Sequence, residues 1–321
     1  MKKTTSVILA LIVTVSAAAL AVSAEGLSVL GDLNGDGMVT SNDAVYLLRS
    51  VLFPDTYALG SFGDFNGDGK VTSNDAVYLL RHVLFPEAYV LKTAAPYSEG
   101  LEYILDDDGR AWISGPGTFD GEELNIPPEI DGHPVIGVEY NAFEDTAVTS
   151  VTLSDGIMKI ESNAFDYCKS LVAVYLPESV TNIGLGAFAD CSRLTSAVLP
   201  AGVTNVEYYL FQNCSSLASA VIPDGVTFIG EWAFDGCKAL TSVSVPDGVT
   251  EICKGTFYGC LSLKTVYLPA GITYIGESAF DSCRGLETIY FAGTRAQWEN
   301  MEKGADWDAL TGGYEVVCAD D

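Results

Sequence analysis

Histidine is nearly missing from this chain: His82 and His133 are the only two in 321 residues. That scarcity removes the commonest general acid–base and the commonest metal ligand. Basic residues are few as well. Sixteen Lys and Arg stand against 43 Asp and Glu, a formal net charge of −27. So acidic a surface repels phosphate backbones and anionic lipid, which argues against nucleic acid and bilayer surfaces as partners. No C-x-x-C pair occurs, so the eight cysteines lack the spacing of a zinc ribbon. Beyond residue 24, no stretch is long and apolar enough to span a bilayer.

What basic charge there is opens the chain. Lys2 and Lys3 precede an apolar run from Val7 to Val22, and Val22-Ser23-Ala24 stands just before Glu25. This is the pattern of an export signal over residues 1–24. The apolar run is short for a membrane anchor. Losing Lys2 and Lys3 takes the net charge from −27 to −29. The mature chain is therefore expected to be secreted, extracellular and soluble.

The stretch Gly31–Pro54 reads GDLNGDGMVTSNDAVYLLRSVLFP. It returns as Gly63–Pro86, changed at three positions only: Leu33/Phe65, Met38/Lys70 and Ser50/His82. Each copy has the oxygen-rich spacing of a calcium loop, since calcium takes six to eight hard oxygen ligands. In the first loop the ligands are Asp32, Asn34, Asp36, the Met38 carbonyl, Thr40 or a water in its place, and Asp43. In the second they are Asp64, Asn66, Asp68, the Lys70 carbonyl, Thr72 and Asp75. Gly37 and Gly69 permit the sharp turn between them. Two loops imply two calcium ions. An Asn/Asp/Gly-rich turn without metal is the alternative for such a segment.

Two features depart from an ordinary EF-hand. The last ligand is Asp rather than Glu, and EGLSVLG and YALGSFG are too short and Gly-rich to form an entering helix. A loop followed only by its exit helix, in tandem, resembles the type I dockerin over residues 29 to about 90. The resemblance implies a small all-α, EF-hand-like loop–helix pair over 25–91. It also implies a partner: the cohesin domain of a scaffolding protein. The recognition positions that it carries over are Ser41, Asn42, Leu48, Arg49 and Phe53, with Ser73, Asn74, Leu80, Arg81 and Phe85 in the second copy. The apolar Leu and Phe among them leave the identity of the cohesin open. The chain is then expected to be held in a cell-surface or cell-free multiprotein complex.

Residues 92–99 read as a linker. Residues 100–132 read as an N-terminal strand cap. Leu101–Leu105 and Arg110–Ser114 flank an Asp108-Gly109 turn, and Glu123–Ile130 is broken by Pro127-Pro128.

From Ile157 the chain repeats every 23 residues. Phe165, Phe188, Phe211, Phe234, Phe257 and Phe280 form one ladder, and Ile160, Ile183, Val206, Ile229, Ile252 and Ile275 a second. Prolines at 177, 200, 223, 246 and 269 form a third. An earlier unit, one residue shorter, carries Phe143, for seven units in all. So short a unit cannot bury its own apolar face, but stacked coils bury one continuous core. The L-x-x-V-x-L run predicts one parallel strand per coil. These units resemble the BspA-type leucine-rich repeats of bacterial surface proteins over 133–294. The fold class expected is thus multidomain: the calcium-binding pair plus a β-rich solenoid. Residues 295–321 should cap its end, with a short helix over Gln297–Lys303 and with Trp298 and Trp307 closing the last coil.

Six cysteines, at 168, 191, 214, 237, 260 and 283, are also 23 apart. Each would lie about 4.8 Å from two equal neighbours, with no pairing preferred and poor bridge geometry. A buried ladder of free thiols is the expectation. Cys253 and Cys318 lie off it.

No catalytic constellation is legible. His82 replaces Ser50 on a helix surface, and His133 lies in an Asp-Gly-His-Pro turn. A Cys–His pair would need a cysteine taken from the ladder. Carboxylates are plentiful, but the modules leave little chain for a glycosidase site. The reading is a non-catalytic protein whose solenoid binds through its strand face. Tyr175, Tyr267 and Tyr290 share one outward column there, suited to a second protein or a polysaccharide, or chosen simply for strand propensity. Other readings are a calcium sensor, and an accessory enzyme or inhibitor of polysaccharide degradation.

Overall fold

The computed structural model describes residues 97–321, together with Leu79. The chain divides into two units between Ala95 and Pro96, and the second is described here. The proposed signal, calcium ligands and cohesin-facing residues all lie outside the described residues.

The repeat unit builds a coil with two strands rather than one. β1 (Glu102–Leu105), β2 (Ala111–Gly115), β3 (Glu123–Ile126), β4 (Glu129–Ile130) and β5 (His133–Val138) open the unit. Then come β6 (Ser150–Leu153), β7 (Lys159–Ile160), β8 (Ala173–Tyr175), β9 (Asn182–Ile183), β10 (Ser196–Val198) and β11 (Asn205–Val206). β12 (Ser219–Val221), β13 (Phe228–Ile229), β14 (Ser242–Ser244), β15 (Glu251–Ile252), β16 (Thr265–Leu268) and β17 (Tyr274–Ile275) follow. β18 (Thr288–Phe291), helix α1 (Arg295–Asn300), β19 (Glu302–Lys303) and β20 (Glu315–Cys318) end the chain.

From β6 to β18, even-numbered strands carry the L-x-x-V-x-L run and pair in parallel within three sheets, β3-β6-β8, β10-β12 and β14-β16-β18-β20. From β7 to β17, odd-numbered strands carry the Ile ladder and also pair in parallel within sheets, as β17 does with β15 and β19. The second strand escapes a reading by alternation because it is only two residues long.

The array also runs further than seven units. β3 pairs in parallel with β6, and β2 with β5, so residues expected as a cap already belong to the ladders. At the other end β19 extends the short-strand ladder and β20 the long one. The helix expected over Gln297–Lys303 spans Arg295–Asn300 instead. Thr294 caps it, its hydroxyl accepting from the Gln297 N–H, and Glu302–Lys303 leaves as a strand. The N-terminal hairpin of β1 and β2 is antiparallel. Arg110 closes its turn with ion pairs to Asp106 and Asp108 at 2.8 and 2.9 Å.

The core is a stack of identical residues. Seven phenylalanines from Phe143 to Phe280 are buried, with neighbouring ring centroids 5.3 to 6.0 Å apart. The stack ends on Trp307, whose indole meets Phe280 edge-on at 6.2 Å. Trp298 is buried against Trp307 and Phe291, which closes the last coil. Proline starts each turn after the long strand: the Val249 N–H donates to the Pro246 carbonyl at 3.1 Å.

All eight cysteines are free and buried. The six ladder thiols share one hydrogen-bonding pattern. Each donates to the carbonyl of a phenylalanine in the preceding coil, as Cys237 does to Phe211 at 3.2 Å and Cys260 to Phe234 at 3.2 Å. Burial pushes the Cys168 thiol up to about 11, so the ladder is chemically quiet. Cys253 holds the place that Gly230 and Gly276 take in adjacent coils. There a Cβ would meet backbone of the preceding coil at 2.6 Å. Cys318 lies opposite Phe291 on the last strand.

Candidate interaction surface

Strand geometry sorts the residues of the long-strand ladder into two sets. Val243, Val266 and Ile289 point into the core and are at most 2% exposed. Their neighbours point outward and form columns, because the parallel register sets Ser244 opposite Tyr267 and Tyr267 opposite Tyr290.

The tyrosine column is narrower than its spacing implies. Tyr267 is 47% exposed and Tyr290 40%, and their rings lie parallel within 9° at 5.0 Å. Tyr175 occupies the same column but is 5% exposed. Its ring is covered. Of the three tyrosines read as a stripe, two stand open on the strand face. Beside that pair, Lys264 and Glu287 form an exposed ion pair at 3.1 Å.

A second group, not read from the sequence, follows three of the phenylalanines. Asp166, Asp190 and Asp235 fall one or two residues after Phe165, Phe188 and Phe234. Asn213 donates to Asp190 at 3.2 Å and Gln212 to Asp235 at 2.8 Å. Asp166 has no such donor, and its Oδ1 is buried without a partner. Burial first, then the Asp190 carboxylate, raises it from its ordinary 3.8 to about 6. A carboxyl with a raised folded pKa favours the protonated folded state. Its contribution is fully present below about pH 4 and is lost as pH rises through about 6. Asp166→Asn is therefore expected to melt higher than wild type at pH 8, and the gap should close at pH 4. An equal gap at both values would show that ionisation is not the cause.

His133 is structural in its setting: its Nδ1–H donates to the Gly109 carbonyl at 2.8 Å, tying β5 to the hairpin turn. Among the described residues no three His, Cys, Asp or Glu side chains converge as a metal site. None of the described helices is long and apolar enough to cross a membrane.

A model of the BspA type leucine rich repeat region matches residues 136–238 and 204–302, which together make up more than half of the chain. A model of the dockerin type I domain matches residues 30–84. Among solved structures, the T. pallidum leucine rich repeat protein aligns at 27% identity, covering 68% of this chain and 99% of that one, with a TM-score of 0.58. A leucine rich cell surface protein from Faecalibacterium prausnitzii aligns at 20% identity over 68% and 99%, with a TM-score of 0.37. A leucine-rich repeat protein from Bacteroides ovatus aligns at 19% over 68% and 76%, with a TM-score of 0.40. No curated protein matches. The modules found are for docking and protein interaction. The chain belongs to the BspA-type leucine-rich repeat family, and it carries a type I dockerin domain ahead of its repeats.

Proposed function

We propose that this chain is a secreted, non-catalytic component of a scaffolded complex. Its doublet docks onto a cohesin domain in calcium, and its solenoid presents the outward strand face. The observation that carries this reading is the near-identical loop repeated at Asp32–Asp43 and Asp64–Asp75, within the segment that matches a dockerin.

The donor set fits the ion. Each loop offers three Asp, one Asn, a Thr and one backbone carbonyl, all hard oxygens, with no sulfur or imidazole. Calcium bound there would neutralise carboxylates that otherwise repel one another. Asp32, Asp36 and Asp43 would hold one ion, with Asn34, Thr40 and the Met38 carbonyl. Asp64, Asp68 and Asp75 would hold the other, with Asn66, Thr72 and the Lys70 carbonyl. The helices after the loops would then present Leu48, Arg49 and Phe53, and Leu80, Arg81 and Phe85, to the cohesin. Ser41, Asn42, Ser73 and Asn74 would flank them. Extracellular calcium is high enough to keep such sites filled, so the ion serves structure rather than signalling.

The test uses the full chain. Between residues 97 and 321 the helix is six residues long, so a helical circular dichroism signal reports the doublet. Chelator is expected to remove most of that signal, because metal binding and folding are one event in so small a module. The melting transition of the repeats should not move. The same helical signal with and without chelator would overturn the calcium reading.

A further inference from the structure

The strand face has a notch beside its tyrosine pair. Tyr290 covers one face of Tyr267, since the rings are parallel at 5.0 Å. The other face of Tyr267 is turned to the preceding coil, where the column continues as Ser244. Ser244 is exposed and short, so nothing in its own column covers that face. One coil further back the column rises again at Val221. Val221 holds the equivalent place two coils before Tyr267, about 10 Å away at one strand spacing per coil. A saturated ring lying between them needs about 3.5–4.0 Å of contact distance on each side. The notch is one such ring wide.

Its floor is made of hydroxyls. Ser242 and Ser219 stand in the adjacent outward column and are exposed, as Ser244 is. The same column continues to Ser196, paired in register with Ser219. Ser196 is 6% exposed, and its Oγ has no hydrogen-bond partner. That hydroxyl is closed off from solvent, so the open part of the row is Ser219, Ser242 and Ser244.

Charge narrows the ligand further. Strands β10, β12, β14 and β16 carry no charged residue, and the nearby Lys264 is held by Glu287. With no free cation here and a net charge of −27, an acidic ligand is repelled. A protein partner would favour large apolar anchors at the centre of its footprint, whereas this centre is hydroxyl-lined.

We propose that the notch binds a neutral polysaccharide. One pyranose ring lies with its C–H face on the free face of Tyr267, as apolar faces do on aromatic rings. Its hydroxyls, and those of the next sugar along the solenoid axis, bond the exposed Ser244, Ser242 and Ser219. This rests on the reading of the repeats as the presenting module.

Affinity electrophoresis of the full chain in calcium tests it. The gels contain a mixed-linkage glucan or a glucomannan, with polygalacturonate as the acidic control. Wild type is expected to be retarded by a neutral gel and not by the acidic one. Tyr267→Ala should weaken that binding tenfold or more. Ser244→Leu fills the notch while leaving the ring in place, and should abolish binding. Ser219→Ala should cost a few-fold. Tyr258→Ala, an exposed aromatic off this face, should bind as wild type does. Thermal melts establish that each variant folds. Wild type unretarded in both neutral gels, retarded only by the acidic gel, or retarded equally with Tyr267→Ala or Ser244→Leu would overturn the proposal. The chelator-sensitive helical signal is read on the same samples. Its absence counts against docking alone, and lost retardation counts against the notch alone.

Discussion

Truncating Phe234 to alanine is expected to destabilise the repeat domain by about 3–5 kcal/mol. Phe234 is fully buried mid-array, stacked between Phe211 and Phe257 at 5.5 Å on each side. Its carbonyl also accepts from the Cys260 thiol at 3.2 Å. Removing the ring leaves a cavity lined by two other rings, and neither can move in without leaving its own coil. In a solenoid each coil is supported by its neighbours alone, so the loss falls on both interfaces of one coil. The melt should broaden or split as the two halves uncouple. Ser244→Ala, on the exposed strand face, should stay within about 0.5 kcal/mol. Equal effects in thermal melts would mean that the inward and outward assignment is wrong.

The second large effect concerns docking. Replacing Leu48, Phe53, Leu80 and Phe85 together by alanine is expected to cost several kcal/mol of cohesin affinity, because the apolar anchors leave both copies. Either pair alone should matter little. The copies present the same residues, so two packed loop–helix units are expected to relate by an approximate two-fold axis. A half-turn would then offer nearly the same surface. Losing one of two equal modes costs RT ln 2, about 0.4 kcal/mol, against 1.4 kcal/mol for a tenfold change. Titration calorimetry with the cognate cohesin decides it. If Leu48→Ala with Phe53→Ala already abolishes binding, the copies are not equivalent and the two-mode proposal fails.

The group of acidic residues shows where sequence reading stopped. Asp166, Asp190 and Asp235 do not recur at every unit, so no periodic signal marks them. The positions beside the phenylalanines do carry a signal that was open to reading. Asn163, Asn213, Asp190, Gly186, Gly236, Gly255 and Gly259 all adopt positive φ. The enrichment of Asn, Asp and Gly there reflects two left-handed residues in each coil. Tyr209 and Trp232 take the same conformation, with φ of 60° and 58°. There packing overrides the local preference: the Trp232 ring lies on Gly255, where a Cβ would come within 2.3 Å of it.

By itself the sequence determined the solenoid, its core and the state of its thiols. A residue that recurs every 23 positions becomes its own neighbour when coils stack, so Phe234, Ile229 and Cys237 had to face their equivalents. The proposed calcium loops, likewise, are legible because their candidate ligands lie within twelve consecutive residues, the spacing that such loops use. Only the tertiary structure decided where the array ends and what its surface offers. β2, β3, β19 and β20 join the ladders through long-range pairing, which segments that have lost the period cannot announce. Tyr175 and Tyr267 share one column in the sequence, yet one is covered and the other open. Inward direction follows from the strand's own alternation. Exposure depends on what lies over the strand, and no local pattern records that.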